Sequence, residues 1–227
     1  MKTLNVLALA GLMTLSGAAL SAQALERVRG TIEKADGGMV TIKTVDGATE
    51  TVDVGGAKFA WVVKSSLDQI KDGVFIGTAT KGENPMTALE VVLFPESMRG
   101  TGEGHYGWDS ITDHTAAGGT AVKSSMTNGT VKAESGTPRV KSAMTNGTVK
   151  ADTAGASGTK TLTVGYGKDG AAKTIEVPPT APIVAFEPAD KAILMPGSKI
   201  FAVVDKAGSK IEGKLIAVGK DGLTPPM

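Results

Sequence analysis

The chain contains no cysteine. A disulfide framework, a thiolate metal site and a cysteine nucleophile are therefore all excluded. Histidine is nearly absent, with two in 227 residues, so one chain cannot hold a three-histidine zinc site. Neither sign of charge is in excess, since 24 Lys+Arg stand against 23 Asp+Glu. No global field draws the protein to nucleic acid or anionic lipid. Aromatics are sparse, with two Trp, two Tyr and five Phe. A basic, aromatic-rich groove for single-stranded nucleic acid is not encoded. There is no Gly-x-Ser-x-Gly elbow and no His-Glu-x-x-His helix, and so no familiar hydrolase signature. The run Gly100-Thr101-Gly102-Glu103-Gly104 lacks the Lys-Ser/Thr end and the following helix of a phosphate loop.

What is present begins with an address. Lys2 precedes an apolar stretch, Leu4 to Leu15, and Ala22-Gln23-Ala24 supplies a small–x–small cleavage pattern. Residues 1–24 read as a secretory signal peptide. No lipobox Cys and no second long apolar run follow. The expectation is an exported, periplasmic protein with no membrane span, stabilised by core and strand pairing without disulfides.

The remaining chain reads as strands. Val28–Ile32, Met39–Val45, Glu50–Val54, Phe59–Val63, Val74–Ala79 and Ala88–Phe94 are apolar or alternating, with an Asp46-Gly47 turn between the second and third. Ser66–Ile70 reads as a short helical turn. The same order recurs later. Asn146–Val149, Leu162–Val164, Asp169-Gly170, Thr174–Val177, Ile183–Phe186, Ile200–Val204 and Lys214–Val218 match those features in turn. This predicts an internal duplication. The fold class expected is all-β, with two tandem small OB-like β-barrels. Their bounds are 25–98 and 144–227, and a Gly/Ser/Thr-rich connector spans 99–143. A single larger barrel or sandwich drawing strands from both units is the rival arrangement. The connector repeats Met126–Ala133 letter for letter as Met144–Ala151. The first copy reads as a spare strand, and Asn128-Gly129-Thr130 and Asn146-Gly147-Thr148 read as turns.

The segment Phe94–His105 with Trp108-Asp109, the Met-Thr-Asn-Gly-Thr-Val start of the second unit and the tail Val218–Met227 carry a resemblance. Together they resemble a family of small exported α-proteobacterial proteins related to OB-like domains of unknown function. The resemblance implies the fold and the compartment but no activity. Some members bear the label of metal transporter permease, a role for which this chain has no spanning segment.

One segment concentrates reactive groups. Residues 99–114 hold both histidines, His105 and His114, together with Glu103, Asp109 and Asp113. Imidazole and carboxylate suit zinc, copper, nickel or manganese, and the intervening glycines allow tight folding. The nine-residue histidine spacing matches no familiar metal motif. Trp108 is as readily a plug over a barrel mouth. The primary functional expectation is a non-catalytic binding or accessory protein of the cell envelope, not an enzyme and without a cofactor. Its partner would be an envelope protein, a glycan or a small ligand. The alternative is a metal-ion-binding protein using Glu103, His105, Asp109, Asp113 and His114. A hydrolase with its site in the middle loop ranks last.

Overall fold

The structure is a computed structural model that describes residues 25–83, 85–115, 119, 121–131, 158–206 and 210–227. The signal segment 1–24, the second repeat copy Met144–Ala151 and the expected strand Asn146–Val149 lie outside the described residues. No helix among the described residues is long and apolar enough to cross a membrane.

Among the described residues the regular structure is all strand apart from short 3-10 turns. In chain order the strands are β1 (Glu26–Asp36), β2 (Met39–Thr44), β3 (Thr49–Asp53), β4 (Lys58–Lys64), β5 (Phe75–Lys81), β6 (Met86–Leu93) and β7 (Gly104–Thr112). They continue as β8 (Ala121–Val131), β9 (Lys160–Tyr166), β10 (Ala171–Val177), β11 (Ile183–Ala189), β12 (Lys199–Asp205) and β13 (Ile211–Gly219). Short 3-10 turns at Leu67–Gln69 and Lys191–Ile193 separate β4 from β5 and β11 from β12, the first where a helical turn is expected.

Strand pairing closes a five-stranded barrel in the order β1-β2-β3-β13-β12 and back to β1. All contacts are antiparallel except β3 with β13. A single parallel contact between the third and last strands of a five-stranded ring is the pairing of an OB barrel. The pairings β8-β9-β10-β6-β5 and back to β8 run in the same order, again with one parallel contact, β10 with β6.

Neither ring is contained in one half of the sequence. The first takes β1–β3 from residues 26–53 but β12 and β13 from residues 199–219. The second takes β5 and β6 from the early half and β8–β10 from the later half. The bounds 25–98 and 144–227 therefore do not enclose separate barrels, and the halves interlock. The crossing strands β4 and β11 cause this. They pair antiparallel with each other, Val63 opposite Ala185 and Trp61 opposite Glu187. Each then continues in parallel along a ring, β4 beside β13 and β11 beside β6.

The connector also differs from expectation. Among the described residues of 99–143 are two strands, β7 and β8, paired over much of their length. The described part of the first repeat copy, 126–131, lies in β8, a strand of the second ring, and is not a spare. Gly129 sits opposite Ile76 as Gly30 sits opposite Ile200. Asn128-Gly129-Thr130 is consequently strand, not turn. Both glycines are there because a neighbouring backbone leaves no room. A Cβ on Gly30 would lie 2.1 Å from the Lys43 carbonyl oxygen, and one on Gly129 would lie 2.2 Å from that of Gly165.

Alternation along the shared strands builds three apolar layers. In β13, Ile216 and Val218 fill the first ring, and Leu215 and Ala217 face the space between the rings. In β12, Ile200, Ala202 and Val204 go inward and Phe201 goes between. In β6, Val91 and Leu93 enter the second ring and Val92 faces the middle. Strands buried on both faces read as near-continuous apolar runs, which is the character of Phe201–Val204 and Leu215–Val218.

Candidate functional site

The middle layer does not fill completely. At one end it opens into a cavity of about 400 Å³, within the size range of small-molecule pockets, roughly 300–1,000 Å³. Phe94, Tyr106, Trp108, Phe186 and Phe201 form much of its wall. Five of the nine aromatic residues thus meet at one place. Phe94 packs edge-on against Phe186 with ring centroids 5.1 Å apart, and Trp108 lies 6.5 Å from Phe201. Val92, Met126, Val203, Leu215 and Met227 add aliphatic surface.

The glycine-rich loop 99–103 roofs this space and is pinned from several sides. The Asn128 amide nitrogen donates to the carbonyls of Thr101 (3.2 Å) and Gly102 (3.0 Å). The Tyr106 hydroxyl donates to Gly102 at 3.1 Å. Arg99 donates to the Gly73 carbonyl at 2.8 Å and the Thr130 hydroxyl at 2.9 Å. Gly102 has φ +59°, and a Cβ there would meet the Asn128 amide at 2.9 Å, so only glycine lets the loop lie this close. Trp108 thus lines a cavity between rings rather than plugging a barrel mouth.

The mouth is cationic. Arg27, Lys58 and Lys214 line the cavity, and among the described residues no Asp or Glu side chain does. The Arg27 guanidinium lies 3.9 Å from the Trp108 ring centroid and donates to Asp109 at 3.2 Å. Lys214 pairs with Glu212 at 2.9 Å. Lys58 shares its strand face with Ala60 and Val62, both in the middle layer.

The five residues proposed as metal ligands are spread along β7 and its ends, and each described contact leads elsewhere. Glu103 accepts from the Gly167 amide at 2.9 Å. The His105 Nδ1 lies 2.8 Å from the Thr127 hydroxyl. Burial, with help from Lys173, holds the His105 imidazole below its ordinary pKa. Asp109 accepts from Arg29 at 2.7 Å as well as from Arg27. Asp113 is buried and receives Lys81 at 2.5 Å and the Thr115 hydroxyl at 2.6 Å. Burial alone would raise its pKa. The bonds from Lys81 and Thr115 outweigh that and hold it at about 2. His114 is exposed and borders a different, open groove with Lys43 and Lys199. Among the described residues no three His, Asp or Glu side chains come together as a metal-binding group.

A buried polar group near the middle layer was not anticipated. Glu90 on β6 is fully buried, on the strand face it shares with Val92. Neither of its carboxyl oxygens has a hydrogen-bond partner among the described residues, and the same holds for Trp108 Nε1 and Arg29 Nη2. Burial pushes the Glu90 carboxyl up to about 8, against a smaller opposing pull from Arg29. Leu89 is bulged out between the Ala79–Glu90 and Thr80–Ala88 pairs, so the alternation of β6 shifts there, and both of its faces are buried around Glu90.

No family model, curated protein or solved structure matches this chain. The geometry of the site alone carries the functional reading.

Proposed function

We propose that this is an exported, non-catalytic binding protein of the cell envelope whose ligand is a small, largely apolar molecule held between the interlocked rings. The carrying observation is the aromatic cavity of about 400 Å³. Concave, mainly apolar surface with a few polar groups at its edge is the usual form of a small-molecule site. The export part of the reading is supported by the leader-like residues 1–24. No observation in the structure favours the metal alternative, because the donors at Glu103, Asp109 and Asp113 are engaged with other partners.

The test uses the chain from Leu25 onward carrying Trp61→Phe, which leaves Trp108 as the only tryptophan. Titration with N-phenyl-1-naphthylamine, an uncharged apolar fluorophore, is expected to saturate at one equivalent and to quench Trp108. Val203→Trp places an indole in the cavity and is expected to abolish binding with unchanged circular dichroism. Non-saturating fluorescence, or equal binding by the filled variant, would remove the proposal.

A further inference from the structure

Resting on that reading, we infer that the ligand class is a monoanionic amphiphile, with its chain among the aromatic rings and its head group at Lys58. The inference comes from the charge of the lining. Three basic side chains border the cavity, no Asp or Glu side chain among the described residues does, and the Met227 terminal carboxyl there is held by Arg29.

The three cations are not equivalent. Arg27 is committed to Asp109 and to the face of Trp108, where it forms part of the wall. Lys214 is held by Glu212 at 2.9 Å and lies 3.7 Å from Asp205. Lys58 has no carboxylate within ion-pair distance among the described residues, and it is exposed. It stands at the start of β4, opposite Leu215 in the parallel pairing with β13, and Leu215 itself lines the cavity. The lysine stem therefore continues the apolar wall, and its ammonium sits where that wall meets water. An apolar surface that ends in one unpaired cation is complementary to a chain that ends in one anion. A cationic amphiphile would bring like charges together. A neutral one would gain only the apolar part.

The apolar part sets a length dependence. Each buried methylene contributes a factor of about four in affinity. The head group adds about tenfold when it meets a lysine at a half-exposed mouth in low salt, and less as salt rises.

The experiment compares dodecanoate, dodecanol and dodecyltrimethylammonium, each below its micellar concentration, on the Trp61→Phe protein with Trp108 emission as the signal. Dodecanoate is expected to bind about tenfold more tightly than dodecanol, and the cation more weakly than either. Lys58→Gln is expected to remove most of the dodecanoate advantage and leave dodecanol unchanged. Equal affinity for dodecanoate and dodecanol, or a Lys58→Gln variant with the full preference, would overturn the inference while leaving the cavity reading intact. Failure of all three amphiphiles and of the naphthylamine to bind would overturn both.

Discussion

Glu90 should make this protein less stable as pH rises through neutrality, and the size of the effect follows from its burial. The carboxyl has an ordinary pKa of 4.5, pushed up to about 8 in the fold. Below pH 4.5 it is protonated in both folded and unfolded chains, and its contribution to stability is fully present. Between 4.5 and 8 the unfolded chain gives up the proton and the folded chain keeps it, so stability falls as pH rises. Each pH unit in that window costs about 1.4 kcal/mol. The whole window costs about 5 kcal/mol, a figure that already includes the smaller opposing pull of Arg29. The assay is urea unfolding at pH 5, 6, 7 and 8, followed by tryptophan emission, on wild type and Glu90→Gln. The amide does not titrate. Any hydrogen bonds it makes or leaves unmade shift its stability by a constant, so the diagnostic quantity is the slope of the difference. The Gln variant should gain on wild type by about 1 kcal/mol for each unit between pH 5 and 8. Parallel pH profiles for the two proteins would refute the reasoning, because they would mean that Glu90 carries its charge in the fold.

Three other outcomes follow from the geometry. Gly30→Ala and Gly129→Ala should each destabilise by about 3 kcal/mol, because the added carbon would fall about 2 Å from a strand carbonyl. Gly56→Ala, with open space at its Cβ, should stay within about 0.5 kcal/mol of wild type in the same denaturation experiment. Asp113→Asn should cost about 2 kcal/mol at pH 7. The aspartate is held at about 2 against an ordinary 3.8, so its contribution is present above pH 3.8 and lost as pH falls toward 2. The variant and wild type should converge in acid, and a pH-independent difference would mean the Lys81 pair is not the cause. A fragment ending at Met98 lacks β12 and β13, which close its ring. It should be unfolded or self-associated by sedimentation, and a cooperatively folding monomer would show that strands 1–6 can close a ring alone.

The strand content was legible in the sequence because period-two alternation and Asp-Gly turns act locally. Val40-Thr41-Ile42 and the Asp46-Gly47 turn form the β2–β3 hairpin as read. The partner of each strand was not legible. Thr49–Asp53 looks the same whether its parallel neighbour comes from its own half or from β13, since both would present an apolar inner face. The connector misled for a compositional reason. Ser124, Thr127 and Asn128 are buried, but small polar residues in a strand look like loop until the neighbouring strands that exclude water are known. The cluster of His and acidic side chains between residues 99 and 114 was conspicuous in the sequence. In the structure it is consumed by ion pairs and caps along β7. The cavity aromatics were hidden for the opposite reason, as Phe94, Phe186 and Phe201 lie about 90 residues apart or more, or in separate strands.

The interlocking and the cavity have one physical origin. A five-stranded ring that closes on its own chain can bury its inner face and leave the outer face wet. Here β4 runs beside β13 of the first ring, β11 runs beside β6 of the second, and the two pair with each other across the join, so that β6, β12 and β13 have residues buried on both faces. The second face must be covered, and the only surface available is the corresponding face of the other ring. Two convex barrels pressed together touch along their centres and diverge at their ends. The centre is sealed by Ala60, Val62, Val184 and Ala217, whose short side chains allow close approach. Where the rings diverge, larger groups are needed to span the gap, and the aromatic rings of Phe94, Trp108, Phe186 and Phe201 stand there. Planar side chains held edge to face leave space that branched aliphatics would fill. The strand crossing that ties the halves together therefore also creates a permanent apolar opening, and β7 with its pinned loop gives that opening a roof.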